Sequence, residues 1–428
     1  MTGASLPEIL EQLGPDARWA RVVVTRLADG PATTDELVHA SGLSRRTVER
    51  IVAAFGESAP PTVGAAADRA RLPRLDIDPE AVRLLADLIG RAPSPRPVLD
   101  QIPADAETVV ARAALLASQF DIVGGQLLFL GDHDLTSIAA ALVMPDTEIT
   151  VVDIDERLLE FIDRVAVERR LPIRVLFADL RDGLPDLLAQ SAGLVFTDPP
   201  YSADGVALFL ERSLAALANR DRGRVVIAYG AGDHRPDLAL KVQERIQRLR
   251  VVIEAIYPSF NRYVLAQAIG GWSDLYVCRP TAGTWRRLAR EEPARNLYTQ
   301  GPQATEAAET THSSPALDAA TELAAGGAVL DLRREPDELL LRALLAADAP
   351  IAVVVRNNHS DIIDERSQHA LLALVEPRVA VRFHRSTPDS STAIVTAQPV
   401  GSVPRHELAH LPRHRLAQKL EESTATDG

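Results

Sequence analysis

The run "GLVFTDPPYSADGVALFLERS" carries an uninterrupted apolar segment that stops at Asp198, Pro199, Pro200 and Tyr201, before a helical pattern starts at Gly205. An acid, two rigid backbone units and an aromatic ring suit a nucleophilic amine, which must shed a proton as it attacks carbon. Asp198 can hold such an amine and help take its proton, while the carbonyls fixed by Pro199 and Pro200 accept its other hydrogens. The face of Tyr201 supports a cationic amine or stacks on a base. Three earlier apolar runs also end in acids: "LFLGDHD" with Asp132 and Asp134, "VVDID" with Asp153 and Asp155, and "FADL" with Asp179. One strand-ending acid is usually a helix cap, but four in consecutive units point to a site. Parallel α/β sheets bind ligands outside the carboxyl ends of their strands. An acid after the second strand accepts from ribose hydroxyls, here Asp153. One after the third accepts from an adenine amino group, here Asp179. Asp198 then faces the reacting end of the ligand.

The elements that must position these residues alternate strand and helix between residues 104 and 284. The apolar runs are short and rich in Val, Ile, Leu and Phe, as parallel strands covered on both faces require. Intervals of 22, 26 and 19 residues separate Gly131, Asp153, Asp179 and Asp198, enough for one strand–helix unit each. The expected fold is a Rossmann-like doubly wound α/β sheet, and the pattern resembles the S-adenosylmethionine methyltransferase fold. Residues 1–95 read as a winged-helix-like domain, with a turn at Ser41–Ser44 between two helices and Ser44 as an N-cap. Arg45, Arg46 and Arg50 on the second helix could meet phosphates. The Pro-rich stretch 91–103 reads as a linker and 286–316 as a loose connector. Residues 317–400 read as a small α/β extension, and 405–428 as a charged, disordered tail.

The chain has 428 residues, 46% of them hydrophobic, and a net charge of −13. That balance argues against general affinity for nucleic-acid backbones. The single cysteine, Cys278, excludes an intrachain disulfide and a multi-cysteine zinc site. No apolar run is long enough to span a bilayer, and the start has no secretory pattern, so a cytoplasmic protein is expected. The histidines lack metal-ligand spacing and no Walker-type loop occurs. No metal is expected, because a thioether leaves a sulfonium as a neutral group.

"DPPY" alone also fits amino-directed DNA and RNA methyltransferases. The first loop separates the readings. A methyl donor carries a carboxylate, which two acids flanking His133 would repel by on the order of 1 kcal/mol or more. A donor without its carboxylate, such as decarboxylated S-adenosylmethionine, and a polyamine acceptor both fit better. Moreover "GDHDLTSIA", "VVDIDERLLEFI", "ADLRDGLP", "FTDPPYSADGVALFLERSLAAL" and "SDLYVCRP" resemble, in order, the N4-bis(aminopropyl)spermidine synthases, or branched-chain polyamine synthases.

The resemblance covers roughly residues 126–280. It implies an aminopropyltransferase of polyamine biosynthesis, a transferase using decarboxylated S-adenosylmethionine as co-substrate and spermidine as acceptor. The family's first motif, Gly followed by three acids, falls on Gly131, Asp132, His133 and Asp134, with His133 departing from it. Its Asp-Pro-Pro-Tyr falls on Asp198, Pro199, Pro200 and Tyr201, making Asp198 the residue that binds and deprotonates the attacking nitrogen. The donor set is then Gly131, Asp132, Asp153 and Asp179. The acceptor set is Asp132, His133 and Asp134, with Asp274 and Tyr276 from "SDLY". A homodimer is expected, with a small-molecule polyamine as partner. The other readings are a nucleic-acid amino methyltransferase and a non-catalytic, ligand-sensing DNA-binding regulator. Outside these motifs, Tyr257, Asn261 and Tyr263 read as acceptor-pocket or core residues. His234 reads as a strand-edge residue and Arg356–Asp361 as a turn.

Overall fold

The computed structural model describes residues 5–14, 17–55, 77–122, 125–230, 236–264, 271–289, 315–324, 326–375, 378–400 and 406–426. Among them, seven strands form the central sheet: β1 (Gln126–Leu130), β2 (Glu148–Asp153), β3 (Ile173–Phe177), β4 (Ala192–Thr197), β5 (Arg224–Tyr229), β6 (Val252–Arg262) and β7 (Trp272–Arg279). Their order is β3-β2-β1-β4-β5-β7-β6. The first five are parallel, and β7 runs antiparallel between β5 and β6. The α/β expectation holds, with a mostly parallel sheet.

Alternation along each strand feeds two cores. Leu127 and Phe129 point with Val151 and Phe196 into a layer that takes Val109, Leu116, Ile138, Leu158 and Ile162 from the helices Ala106–Gln119, Thr136–Val143 and Glu156–Arg169. Leu128 and Leu130 point the other way, toward Leu208, Leu214, Val242 and Ile246 of the helices Ala203–Ala216 and Pro236–Arg248. Each fully buried Leu or Phe contributes about 1.5–3 kcal/mol. The strand order reverses direction at β1, between β2 and β4, and at such a switch point the loops diverge and leave a crevice.

A second sheet has the order β10-β11-β9-β8, from β8 (Ala328–Asp331), β9 (Ile351–Arg356), β10 (Val379–Arg385) and β11 (Thr392–Pro399). It packs on its own core of Leu340, Leu344, Val353, Val355, Leu371 and Val395. This unit docks against the central sheet. Arg342 reaches Glu156 and lies over the Phe177 ring.

Three boundary expectations are corrected. Helix Pro79–Arg91, expected in the N-terminal domain, places Leu85 and Leu88 in the core of the central sheet. Its apolar stripe is buried there. The stretch 91–103 is no free linker, because Arg96 bonds to Glu338 of the second unit, Gln101 bonds to Asp155 after β2, and Leu99 is buried. The tail expected to be disordered forms the helix Arg413–Thr426, held by His414 and Arg415 on Asp163. Arg413 pairs with Asp361 as well.

At the N-terminus, helices Thr34–Ser41 and Arg45–Phe55 flank Gly42, whose left-handed φ of 62° lets its N–H close the first helix. Ser44 caps the second helix through Thr47, as expected. Arg45 pairs with Asp35 and Arg50 donates to Gln12. A wing would fall within residues 56–76, outside the described residues, as does His234. The Arg356–Asp361 segment forms the turn expected of it.

Candidate active site

The crevice lies where the switch point predicts. It is lined by Gly131 and His133 after β1, Asp153 and Ile154 after β2, Asp179 and Arg181 after β3, and Asp198 and Pro200 after β4. Leu99, Asp100 and Gln101 close it from the side. Of the strand-ending acids, Asp153, Asp179 and Asp198 thus share one cleft, together with Gly131 of the first motif, while Asp132 and Asp134 are not in its lining. Gly131 has φ 72°, and Leu135, a few residues on, has φ 67°. A leucine in that region costs about 1–2 kcal/mol, the strain that turns the chain sharply into its next helix.

Asp153 accepts from the N–H groups of Asp132 (3.2 Å) and Asp155 (2.9 Å). Burial pushes its carboxyl up to about 6. Asp179 is clasped by Arg181, whose Nε lies 3.0 Å from both carboxylate oxygens. Asp198 is ringed by donors. Nη2 of Arg112 donates to its Oδ2 at 2.7 Å, the Tyr263 hydroxyl to the same oxygen at 2.8 Å, and the Tyr201 hydroxyl to Oδ1 at 3.0 Å. Tyr201, Tyr229, Tyr263 and Tyr276 form a chain of aromatic contacts beside it, with centroids 5.5–6.5 Å apart. Burial and the Asp198 charge raise the Tyr263 and Tyr201 hydroxyls well above the ordinary phenol range. Both therefore act as hydrogen-bond donors.

Arg112 is the residue that sequence reasoning missed. It sits on Ala106–Gln119, wholly buried, and joins Asp134, Asp198, Thr136, Asn261 and Tyr263. Its guanidinium also lies 5.2 Å from the Phe196 ring centroid. Nothing local marks it, since an arginine in a helical run reads as a surface residue. An arginine at an otherwise apolar position of a helix preceding β1 was the available signal. Asn261 and Tyr263, left between pocket and core, belong to this network.

The first-loop acids behave differently from expectation. Asp132 is buried and accepts from the Ser137 N–H at 3.1 Å, capping the helix that follows. Burial and the neighbouring Asp134 raise its carboxyl well above the usual range, toward the neutral form. Asp134 is matched by Arg112. Neither lines the cleft, so the open negative charge expected to repel a donor carboxylate is not displayed there. His133 does face the cleft, and its Nε2 lies 2.6 Å from the Ile102 carbonyl. Asp274 and Tyr276 stand on β7, outside the cleft lining, where Asp274 accepts from the Ser259 N–H at 2.8 Å. Among the described residues no cluster of three His, Cys, Asp or Glu side chains is arranged to hold a metal, and no helix is long and apolar enough to cross a membrane.

A β3-β2-β1-β4-β5-β7-β6 sheet with acids at successive strand ends places the central unit in the methyltransferase-like class of α/β folds. More narrowly, residues 80–292 match the model of the branched-chain polyamine synthase A C-terminal domain. The chain is 40% identical over 174 residues to an uncharacterized protein of Methanocaldococcus jannaschii, covering 40% of this chain and 43% of that one. It is 34% identical over 235 residues to the N(4)-bis(aminopropyl)spermidine synthase of Thermococcus kodakarensis, covering 53% and 63%. Among solved structures, the branched-chain polyamine synthase of Thermus thermophilus, in complex with N4-aminopropylspermidine and 5'-methylthioadenosine, aligns with a TM-score of 0.44 at 21% identity, covering 65% of this chain and 92% of that one. The chain thus spans about half the length of the curated relatives it matches. The family-model match and the named synthase relative fit the family resemblance read from the motifs.

Proposed function

We propose that the protein is an aminopropyltransferase that moves aminopropyl groups from decarboxylated S-adenosylmethionine to a polyamine nitrogen, with spermidine as acceptor. The convergence of Asp153, Asp179 and Asp198 on one cleft carries this reading. The family match over that cleft and relatives named N(4)-bis(aminopropyl)spermidine synthase support it.

In this reading Asp153 accepts from the ribose hydroxyls and Asp179 from the adenine amino group, with Gly131 leaving room for the nucleoside. Asp198 orients the acceptor nitrogen through Oδ1, because Oδ2 already receives Arg112 and Tyr263. The nitrogen lone pair attacks the propyl carbon on sulfur and forms the C–N bond. The C–S bond breaks, its electron pair stays on sulfur, and neutral 5'-methylthioadenosine departs. The proton of the new ammonium passes toward Asp198 or water. Pro199 and Pro200 fix the carbonyls that receive the remaining amine hydrogens, and Tyr201 supports the cation. Asp132 and Asp134 serve mainly to build the loop, His133 faces the acceptor, and Tyr276, at the end of the tyrosine chain, extends the acceptor side with Asp274. We assign residues 1–55 to a winged-helix-like module, the chain to the cytoplasm, and its assembly to a homodimer.

The test is a product assay by mass spectrometry. The protein is incubated with decarboxylated S-adenosylmethionine and linear polyamines, beside ordinary S-adenosylmethionine with DNA or RNA. Gain of one or two aminopropyl units at the internal nitrogen of spermidine is the expected result. Methylated nucleic acid with unmodified polyamines would refute the proposal.

A further inference from the structure

The second α/β unit lies outside the family match, yet one of its turns contacts Arg181 in the cleft lining and Arg96, which leads into the lining segment Leu99–Gln101. Glu335 and Glu338 stand three residues apart at the start of the helix Glu338–Ala346. Glu335 Oε2 accepts from Nη2 of Arg181 at 2.7 Å, and the same nitrogen reaches Asp179 at 2.5 Å. Arg181 and Asp179 form one wall of the cleft. Glu338 Oε1 accepts from Nη1 of Arg96 at 2.5 Å. The Arg96 N–H in turn donates to Gln101 Oε1 at 2.8 Å, and Gln101 Nε2 lies 3.3 Å from Asp155. Leu99, Asp100 and Gln101 form another part of the lining.

We infer that the second α/β unit is a clamp for the adenosyl co-substrate, with Glu335 and Glu338 as positioning residues that set the spacing of the two cleft walls. The inference rests on the aminopropyltransferase reading, since it takes the cleft between those walls as the donor site. The pairs are partly to largely buried, with side-chain exposures of 23% and 14% for Arg96 and Glu338 and of 8% and 26% for Arg181 and Glu335. Charge-assisted hydrogen bonds in such a setting are short and directional. Releasing Glu335 lets the Arg181 fork turn away from or over Asp179. Releasing Glu338 frees the 96–101 segment. The unit is also anchored to the central sheet, through Arg342 to Glu156 and through the Phe177 N–H to the His410 carbonyl at 2.8 Å. The turn is therefore a bracket that ties the 96–101 segment and the Arg181–Asp179 pair to one unit.

The test uses the full chain and isothermal titration with 5'-methylthioadenosine, paired with steady-state kinetics on decarboxylated S-adenosylmethionine and spermidine. The double variant Glu335→Ala/Glu338→Ala is expected to weaken 5'-methylthioadenosine binding at least tenfold and to raise the donor KM in parallel. The acceptor KM and kcat at saturating donor stay within twofold. The charge-reversed pair Arg96→Glu/Glu338→Arg is expected to recover most of the affinity lost in Glu338→Arg alone. Arg333→Gln, in the same turn but paired with Asp331 and not part of either wall, leaves binding unchanged. A double variant that binds within twofold of the wild type overturns the inference and leaves the functional reading standing. Loss of affinity that the reversed pair does not restore, with donor and acceptor KM rising together and a lower unfolding midpoint, overturns it as mere structural damage. A wild-type protein that binds no 5'-methylthioadenosine overturns both the clamp and the reading beneath it.

Discussion

Nη2 of Arg112 and Oδ2 of Asp198 stand 2.7 Å apart, the arginine with no solvent exposure and the aspartate side chain 9% exposed. The same guanidinium meets Asp134. One buried cation thus serves two buried carboxylates on different loops, one after β1 and one after β4. Removing one partner of a buried pair leaves uncompensated charge and costs about 3–5 kcal/mol. Arg112→Met is expected to lose stability of that order in urea unfolding. Adding Asp134→Asn recovers part of the loss, because one stranded charge is gone.

Asp198→Asn separates binding from turnover. The amide still accepts one hydrogen bond but no longer offers a carboxylate to the acceptor nitrogen. Turnover is expected to fall by two orders of magnitude or more, the scale of a positioned acid–base group. Donor binding, followed by titration with 5'-methylthioadenosine, largely survives. Wild-type turnover in this variant would show that Asp198 does not handle the amine.

The buried Asp153 predicts a pH dependence. Its folded value of about 6 exceeds the unfolded carboxyl value, so the native state holds the proton more tightly. Its contribution to stability is full below the unfolded value and is lost as pH rises through about 6. At neutral pH, keeping this carboxylate ionised costs about 3 kcal/mol relative to the unfolded chain. The ionised form is the one that accepts from ribose hydroxyls. Affinity for 5'-methylthioadenosine is therefore expected to plateau above pH 7 and fall below pH 6, and Asp153→Asn is expected to flatten that profile. Titrations across pH 5–8 check both.

Gly205 supports the Asp-Pro-Pro-Tyr turn from below. A Cβ there would sit 2.7 Å from the Pro200 carbonyl oxygen and 2.9 Å from Ser202 Oγ. Ser202 Oγ also caps the following helix through the Gly205 N–H. Gly205→Ala is expected to shift the turn, lower stability by about 1–3 kcal/mol, and reduce kcat more than donor affinity. Thermal unfolding and steady-state kinetics on one preparation measure both effects.

Strand-ending acids made the cleft legible in the sequence. Short apolar runs followed by acids in consecutive units read as buried parallel strands, and the structure brings the acids after the second, third and fourth strands, Asp153, Asp179 and Asp198, into one cleft. The fate of Asp132 and Asp134 was not legible, because orientation within a tight turn depends on Leu135 taking a left-handed φ and on Arg112 approaching from an earlier helix. Arg112 and Asp198 are 86 positions apart, and a period-based reading registers only near neighbours. The same limit hid the 91–103 stretch. Its prolines signalled a linker, but Glu338, supplied much later in the chain, fixes it as a wall. Charged tail residues likewise read as solvated until Asp163 is seen to receive His414 and Arg415.

The bond from the Phe177 N–H to the His410 carbonyl also bears on synthesis at the ribosome. β3 is the outer strand of its sheet, and the residue that covers its last amide lies 233 positions downstream. At 5–20 residues per second, the nascent chain waits roughly 12–47 s between making the one and the other. During that interval an apolar strand edge stands open to passing chains. Glu335 and Glu338 emerge within the same window, so the cleft gains its final wall spacing only late in translation. A chaperone that shelters the emerging β3 edge would therefore raise the yield of active protein more than one acting on the finished chain.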